Sequence, residues 1–253
     1  MRFVLLLALF LSGCGSVDYD QVTRGKFSGS VYLVWVGPGN TSWLGDGHFI
    51  YVPMPGKELR FKRDPKNNPS GDSDVITPEA FYTDGGSIPR SVQALDGFNA
   101  WGFGPAYVIH DWLFVAKKCL NDEARYGGKA NDEVFDPAWV TDEMRRLDKM
   151  TFTESARVMA ETIKTLTRRY DVDRGDGFSG PVISSVTAGP VSHGLWTEVG
   201  ACKDQQIKPE HRELIVAPVQ KGADMAVLRA RADRPRKLAN GEVAFVVETF
   251  SFD

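Results

Sequence analysis

The chain has 253 residues, 42% hydrophobic and 25% charged, with six Trp and fifteen Phe. That supplies a core for one large domain, or for a medium domain plus a small one, without needing a disulfide framework. A formal net charge of −3 excludes the basic surplus of a nucleic-acid binder. The local basic runs, Arg145–Arg146, Arg168–Arg169 and Arg229 to Lys237, read as solvated faces.

The N-terminus is different in kind. Arg2 supplies positive charge, Phe3 to Leu11 is apolar throughout, and Leu11-Ser12-Gly13-Cys14 closes the run. It is well short of the roughly 18–20 apolar residues that span a bilayer, so it has the form of an export signal. Its end resembles the bacterial lipobox, which implies cleavage after residue 13 and a lipid anchor on Cys14. Two or three acyl chains, at about 0.8 kcal/mol per buried CH₂, hold a protein durably on a membrane. Gly15 stands where an inner-membrane retention signal would place Asp, which favours the outer membrane. The mature protein is then expected to be lipid-anchored in the cell envelope, with residues 14–26 as a polar tether.

Cys119 and Cys202 remain. Export would place both in an oxidising compartment, where a free pair tends to form a disulfide. Spacing alone does not show that they are close enough, so a bridge stays open.

Beyond the tether, Val31 to Val36 is rich in β-branched and aromatic residues and stops at Gly37-Pro38-Gly39-Asn40, which predicts a strand. His48 to Val52 and Glu58 to Lys62 are two more short strands, and Asp64 to Asp74 is a loop. A helix is predicted from Ala106 to Leu120, with Pro105 in its first turn and little polar face, so it should be buried. A second helix, from about Thr153 to Tyr170, carries Phe152, Ala156, Met159, Ile163, Leu166 and Tyr170 as one apolar stripe. Glu154, Arg157, Glu161, Lys164 and Arg168 should point elsewhere. Asp171 to Pro181 is a candidate boundary. Beyond it Leu214-Ile215-Val216, Met225 to Leu228 and Val243 to Phe252 have β texture. They would form a β-rich extension over 182–253, or added strands on the first sheet. The fold class is α+β.

His110 and Asp111 stand in the first two turns of the buried helix. Charges there need hydrogen bonds, a counter-charge or a metal. Upstream, Phe81-Tyr82-Thr83-Asp84-Gly85-Gly86-Ser87-Ile88-Pro89-Arg90 reads as a turn in which two Gly free the backbone beside a carboxylate. It serves equally as a structural Asx turn or as a loop offering carbonyls to a hard cation such as calcium. No Gly-x-Ser-x-Gly, phosphate-cradling loop or Cys-x-x-Cys is present, and the other His are scattered.

Ile76 to Arg90, followed by Val108-Ile109-His110-Asp111-Trp112-Leu113-Phe114, resembles the domain of unknown function 1353 family of phages, prophages and bacteria. The likeness runs from about Lys26 to Tyr170, giving a family domain over 27–175, and it implies no settled activity. More distantly, a His-Asp pair on a buried helix after a Gly-rich turn resembles the secreted phospholipases A. That likeness implies His110 as general base on a water and Asp111 as a calcium ligand, with Asp84 and the Gly85–Gly86 backbone completing the metal site. It also requires an Asp to orient the His. Asp132, in Ala130-Asn131-Asp132-Glu133-Val134-Phe135, is one candidate position; the other, Ser155-Ala156-Arg157-Val158-Met159, contains no Asp. The implied activity is a calcium-assisted esterase or lipid hydrolase. The alternative is a non-catalytic prophage-type surface or exclusion lipoprotein in which His110 and Asp111 are a satisfied structural pair.

Overall fold

The computed structural model describes residues 17–38, 48–83, 103–131, 134–169, 179–221, 236–238 and 241–252. Cys14, Asp84, Gly85, Gly86 and Asp132 lie outside the described residues, as do the signal segment, Met225 to Leu228 and most of the candidate boundary. Strands come first: β1 (Lys26–Ser28), β2 (Ser30–Pro38), β3 (His48–Tyr51), β4 (Arg60–Lys62), β5 (Val75–Ile76) and β6 (Phe81–Thr83). Helices follow: α1 (Gly104–Tyr126), α2 (Asp142–Arg145), α3 (Phe152–Arg169), α4 (Ser179–Thr187), α5 (Pro190–Trp196) and α6 (Cys202–Gln205). Then α7 (Pro209–His211) passes through a π-helical turn at Arg212–Val216 into α8 (Ala217–Gln220), before β7 (Arg236–Lys237) and β8 (Glu242–Ser251). The fold is α+β, with the N-terminal strands preceding the helices.

The strands form two antiparallel sheets, ordered β1-β4-β5 and β6-β3-β2-β8-β7. Between β1 and β2 the chain turns at Gly29, whose φ is +81°. A Cβ there would stand 2.0 Å from the Glu58 carbonyl oxygen, so only Gly fits. β2 is the core of the larger sheet. Its side chains alternate: Val31 and Leu33 pack toward α1, while Tyr32, Val34 and Val36 pack toward Ile215, Val216 and Val219. Burial on both faces explains why residues 31–36 read as a continuous apolar run.

α1 is longer than its apolar run predicts. It continues through Asn121 to Tyr126 and stops at Gly127, in the left-handed conformation with φ 60°. The extra turns are polar but not idle. Buried Asp122 accepts the backbone N–H groups of Gly200 at 2.5 Å and Cys202 at 2.9 Å. Asn121 donates to the Trp196 carbonyl at 2.9 Å. α3 starts with a reciprocal capping box: Thr151 N–H donates to Glu154 at 2.9 Å, and Glu154 N–H to the Thr151 hydroxyl at 3.2 Å. Its apolar stripe packs on α1, but Glu161 does not face solvent as the helical period predicts. It is fully buried.

Two other expectations are corrected. Leu214-Ile215-Val216 is helical, not strand, and residues 179–220 form short helices joined by loops where β structure was expected. A three-residue apolar run carries no period that separates the two. Only the stretch near Val243 to Phe252 forms a long strand, and β8 pairs along the whole of β2, from Ser30↔Ser251 to Pro38↔Glu242. The second half of the chain therefore completes the first sheet, and α7 to α8 covers its other face. Residues 17–25 are not a free tether either. Lys164 Nζ donates to the Tyr19 and Asp20 carbonyls, both at 2.9 Å, Thr23 exchanges hydrogen bonds with Asn67, and Gly25 N–H donates to the Thr165 hydroxyl.

Candidate functional site

β6 ends where α1 packs against it. Phe81 and Thr83 are buried toward the helix, and Tyr82 points to the opposite face of the sheet. On α1, Tyr107, His110, Asp111 and Phe114 recur at spacings of three and four and share one face. The Thr83 hydroxyl donates to Asp111 Oδ2 at 2.6 Å. That length is typical of a hydroxyl bound to an ionised carboxylate. The bond joins the two motifs singled out in the sequence and puts Asp111 at the residue directly before Asp84.

His110 is 8% exposed, with its ring 4.9 Å from that of Phe114. Burial pushes its pKa down to about 4, so the imidazole is neutral at neutral pH. Its Nε2 has no hydrogen-bond partner among the described residues, and neither does Tyr107 Oη on the same face. Burial, and then the charge of Asp111, raises the Tyr107 phenol, so it keeps its proton. Each buried polar atom left unpaired costs roughly 1–3 kcal/mol. Such a cost calls for an explanation in a catalytic role or in a bound water or ion. Trp112 Nε1, against Phe81 on another side of the helix, is also without a partner among the described residues.

The orienting carboxylate is the weak point. α3 packs on α1, and the Ser155–Met159 segment supplies only Ser155, whose hydroxyl donates back to the Phe152 carbonyl at 2.8 Å. The buried acid of α3 is committed elsewhere. Glu161 Oε1 accepts the Asp64 N–H at 2.5 Å, and Oε2 stands 3.6 Å from Arg63 Nε. Burial raises the Glu161 pKa to about 7, against the opposing pull of that N–H and of Arg63. Among the described residues no three His, Cys, Asp or Glu groups are placed to hold a metal ion. Of the four calcium ligands expected, Asp111 alone is described, and one carboxylate is not a calcium site.

A second polar station lies on the other face of the sheet. The Tyr82 hydroxyl is 2.7 Å from His211 Nδ1, His211 Nε2 is 2.7 Å from Glu242, and the Lys208 N–H donates to the Tyr82 oxygen at 3.1 Å. The His211 ring thus bridges the Tyr82 hydroxyl and the Glu242 carboxylate. His48 stacks at a tilt 5.1 Å from Tyr82, and its pKa is lowered by burial first, then by Lys208 and His211. Burial raises the Tyr82 phenol, which makes it a hydrogen-bond donor and not a nucleophile. Sequence reading missed this group because Tyr82, His211 and Glu242 are joined by no local spacing. It locks α7 and β8 to β6.

Cys119 of α1 and Cys202 of α6 form a disulfide, with Cα atoms 4.4 Å apart and a sequence separation of 83. No helix among the described residues is long and apolar enough to cross a membrane. Compared with protein-family models, with curated proteins and with solved structures, the chain matches none, so its likeness to the domain of unknown function 1353 family rests on the two motifs alone.

Proposed function

We propose that this is a lipid-anchored envelope protein, with the anchor on Cys14, whose α1 face is a hydrolytic centre for lipid or other envelope esters. One observation carries the reading. Among the described residues, Tyr107 and His110 present buried, unpartnered polar atoms on the face of α1 that Asp111 ties to Thr83 at the end of β6. A neutral imidazole is the form that accepts a proton from water, so His110 is the general base. Tyr107 keeps its proton and can donate to a substrate oxygen. Asp132 is the proposed orienting carboxylate, and such a partner would lift the low basicity of His110. Asp84, Asp111 and the Gly85–Gly86 carbonyls would hold the calcium, which when bound would stabilise the oxyanion.

The depressed basicity of His110 favours a second reading, a non-catalytic surface lipoprotein of prophage type, because a base with a pKa of about 4 is poorly matched to neutral pH. Release of fatty acid from phospholipid vesicles and hydrolysis of short-chain esters separate the two. The hydrolytic reading expects His110→Gln to lose about 100-fold or more in kcat with its melting temperature nearly unchanged. Absence of hydrolysis in the wild type across both substrate classes, with calcium present, would leave the non-catalytic reading.

A further inference from the structure

The segment that would join the anchor to the domain is too short to hold the two apart. Residues from Val17 onward lie on the protein surface: Lys164 Nζ holds the Tyr19 and Asp20 carbonyls and stands 5.2 Å over the Tyr19 ring, and Val22 is buried. The chain from Cys14 to Val17 reaches at most about 10 Å when fully extended. That is close to one Debye length, about 8–10 Å at physiological salt. Charges on the adjoining face would therefore feel the membrane surface with little screening.

That face is basic. In the β1–β4 pair, Phe27 and Phe61 point into the core, while Lys26 and Lys62 stand directly opposite each other on the exposed side. Like charges in direct cross-strand register are destabilising. Neither lysine makes an ion pair among the described residues, and exposed Arg24 and Arg168 likewise make none there. Both arginines act electrostatically on Lys164, where Asp20 and Asp18 more than offset them. Gly25 knits the strip together, since its N–H donates to Thr165 and a Cβ there would stand 2.5 Å from the Lys62 carbonyl.

We infer that the exposed face of the three-stranded sheet, bearing Lys26 and Lys62, with exposed Arg24 just before β1, lies flat on an anionic lipid surface and binds its headgroup phosphates. The inference rests on the anchored reading above. An anionic surface removes the repulsion within the Lys26–Lys62 pair, and each cation near such a surface contributes about a fivefold gain in binding.

The test uses the acylated full-length mature chain on vesicles of phosphatidylcholine with one part in three phosphatidylglycerol, and on phosphatidylcholine alone. Amine labelling read by mass spectrometry should slow at Lys26 and Lys62 by about fivefold or more on the anionic vesicles relative to detergent. Labelling of Lys203, on α6, serves as the reference. The protection should be absent on neutral vesicles and should fall away in high salt. A chain that sediments with both vesicle types but keeps Lys26 and Lys62 fully reactive overturns the orientation while leaving the anchor standing. A chain that sediments with neither overturns the anchor and the orientation with it.

Discussion

Thr83, the last residue of β6, donates its hydroxyl to the carboxylate of Asp111 in the second turn of α1 at 2.6 Å, across 28 residues of chain. The bond fixes the end of the sheet to the helix that carries His110. It also separates the roles of two neighbouring residues, since Asp111 is held by the sheet while His110 Nε2 is left without a partner among the described residues.

Thr83→Val tests that junction. Valine keeps the shape and removes the donor, so a charge-assisted bond is lost and Asp111 keeps its desolvation. Thr83 is buried and Asp111 is partly so, and the expected cost is about 1.5–3 kcal/mol in urea unfolding. If the hydrolytic reading is right, kcat should fall with stability held constant by a compensating osmolyte. A Thr83→Val protein as stable as the wild type would show that the bond contributes nothing net.

The pH dependence of stability should carry two opposing signatures. His110 has its folded pKa depressed from 6.5 to about 4. Between those values the unfolded state binds more protons, so stability present above pH 6.5 is lost as pH falls to about 4. The amplitude is about 3 kcal/mol. Glu161 has its folded pKa raised from 4.5 to about 7, so the folded state binds more protons in that window and stability is lost as pH rises through it. Between about pH 4.5 and 6.5 the two slopes oppose and largely cancel in the wild type, so His110→Gln should expose the loss of stability as pH rises and Glu161→Gln the loss as pH falls. The measurement is the urea midpoint at half-unit pH steps from 4 to 8. Unchanged slopes in both variants would mean that neither group is shifted as described.

The Cys119–Cys202 bridge closes a loop of 83 residues of separation. In the chain-entropy picture its loss costs up to about 4.5 kcal/mol, through a less constrained unfolded state. Asp122 and Asn121 hold the same segment by hydrogen bonds to Gly200, Cys202 and Trp196. The reduced chain should therefore keep its circular dichroism at neutral pH and unfold at a lower denaturant midpoint. Loss of the native spectrum on reduction alone would show that those hydrogen bonds do not hold α6 in place.

Local pattern alone determined a good deal. The stripe of α3 and the isolation of His110 and Asp111 in an apolar helix follow from period and charge within a few residues, whereas the stop expected at Gly37-Pro38 does not hold, since β2 runs on through both residues in register with β8. What lay beyond reach depends on partners far away in the chain. Glu161 stands two residues from both Met159 and Ile163 of the α3 stripe, and Arg63, the Asp64 N–H and Asn67, all more than 90 residues away in sequence, make its burial tolerable. Leu214-Ile215-Val216 is too short to show a period, and the sheet face it covers decides that it is helical. Whether Val243 to Phe252 forms an appendage or joins the first sheet was open, because nothing local says that it inserts beside β2. Tyr107 reads as one more core aromatic until burial is seen to leave its hydroxyl without a partner among the described residues, one helical turn before His110. Composition and periodicity act over one or two turns of chain and so set the elements, whereas sheet order, buried ion pairs and converging polar atoms are chosen by contacts that form only when the whole chain has packed.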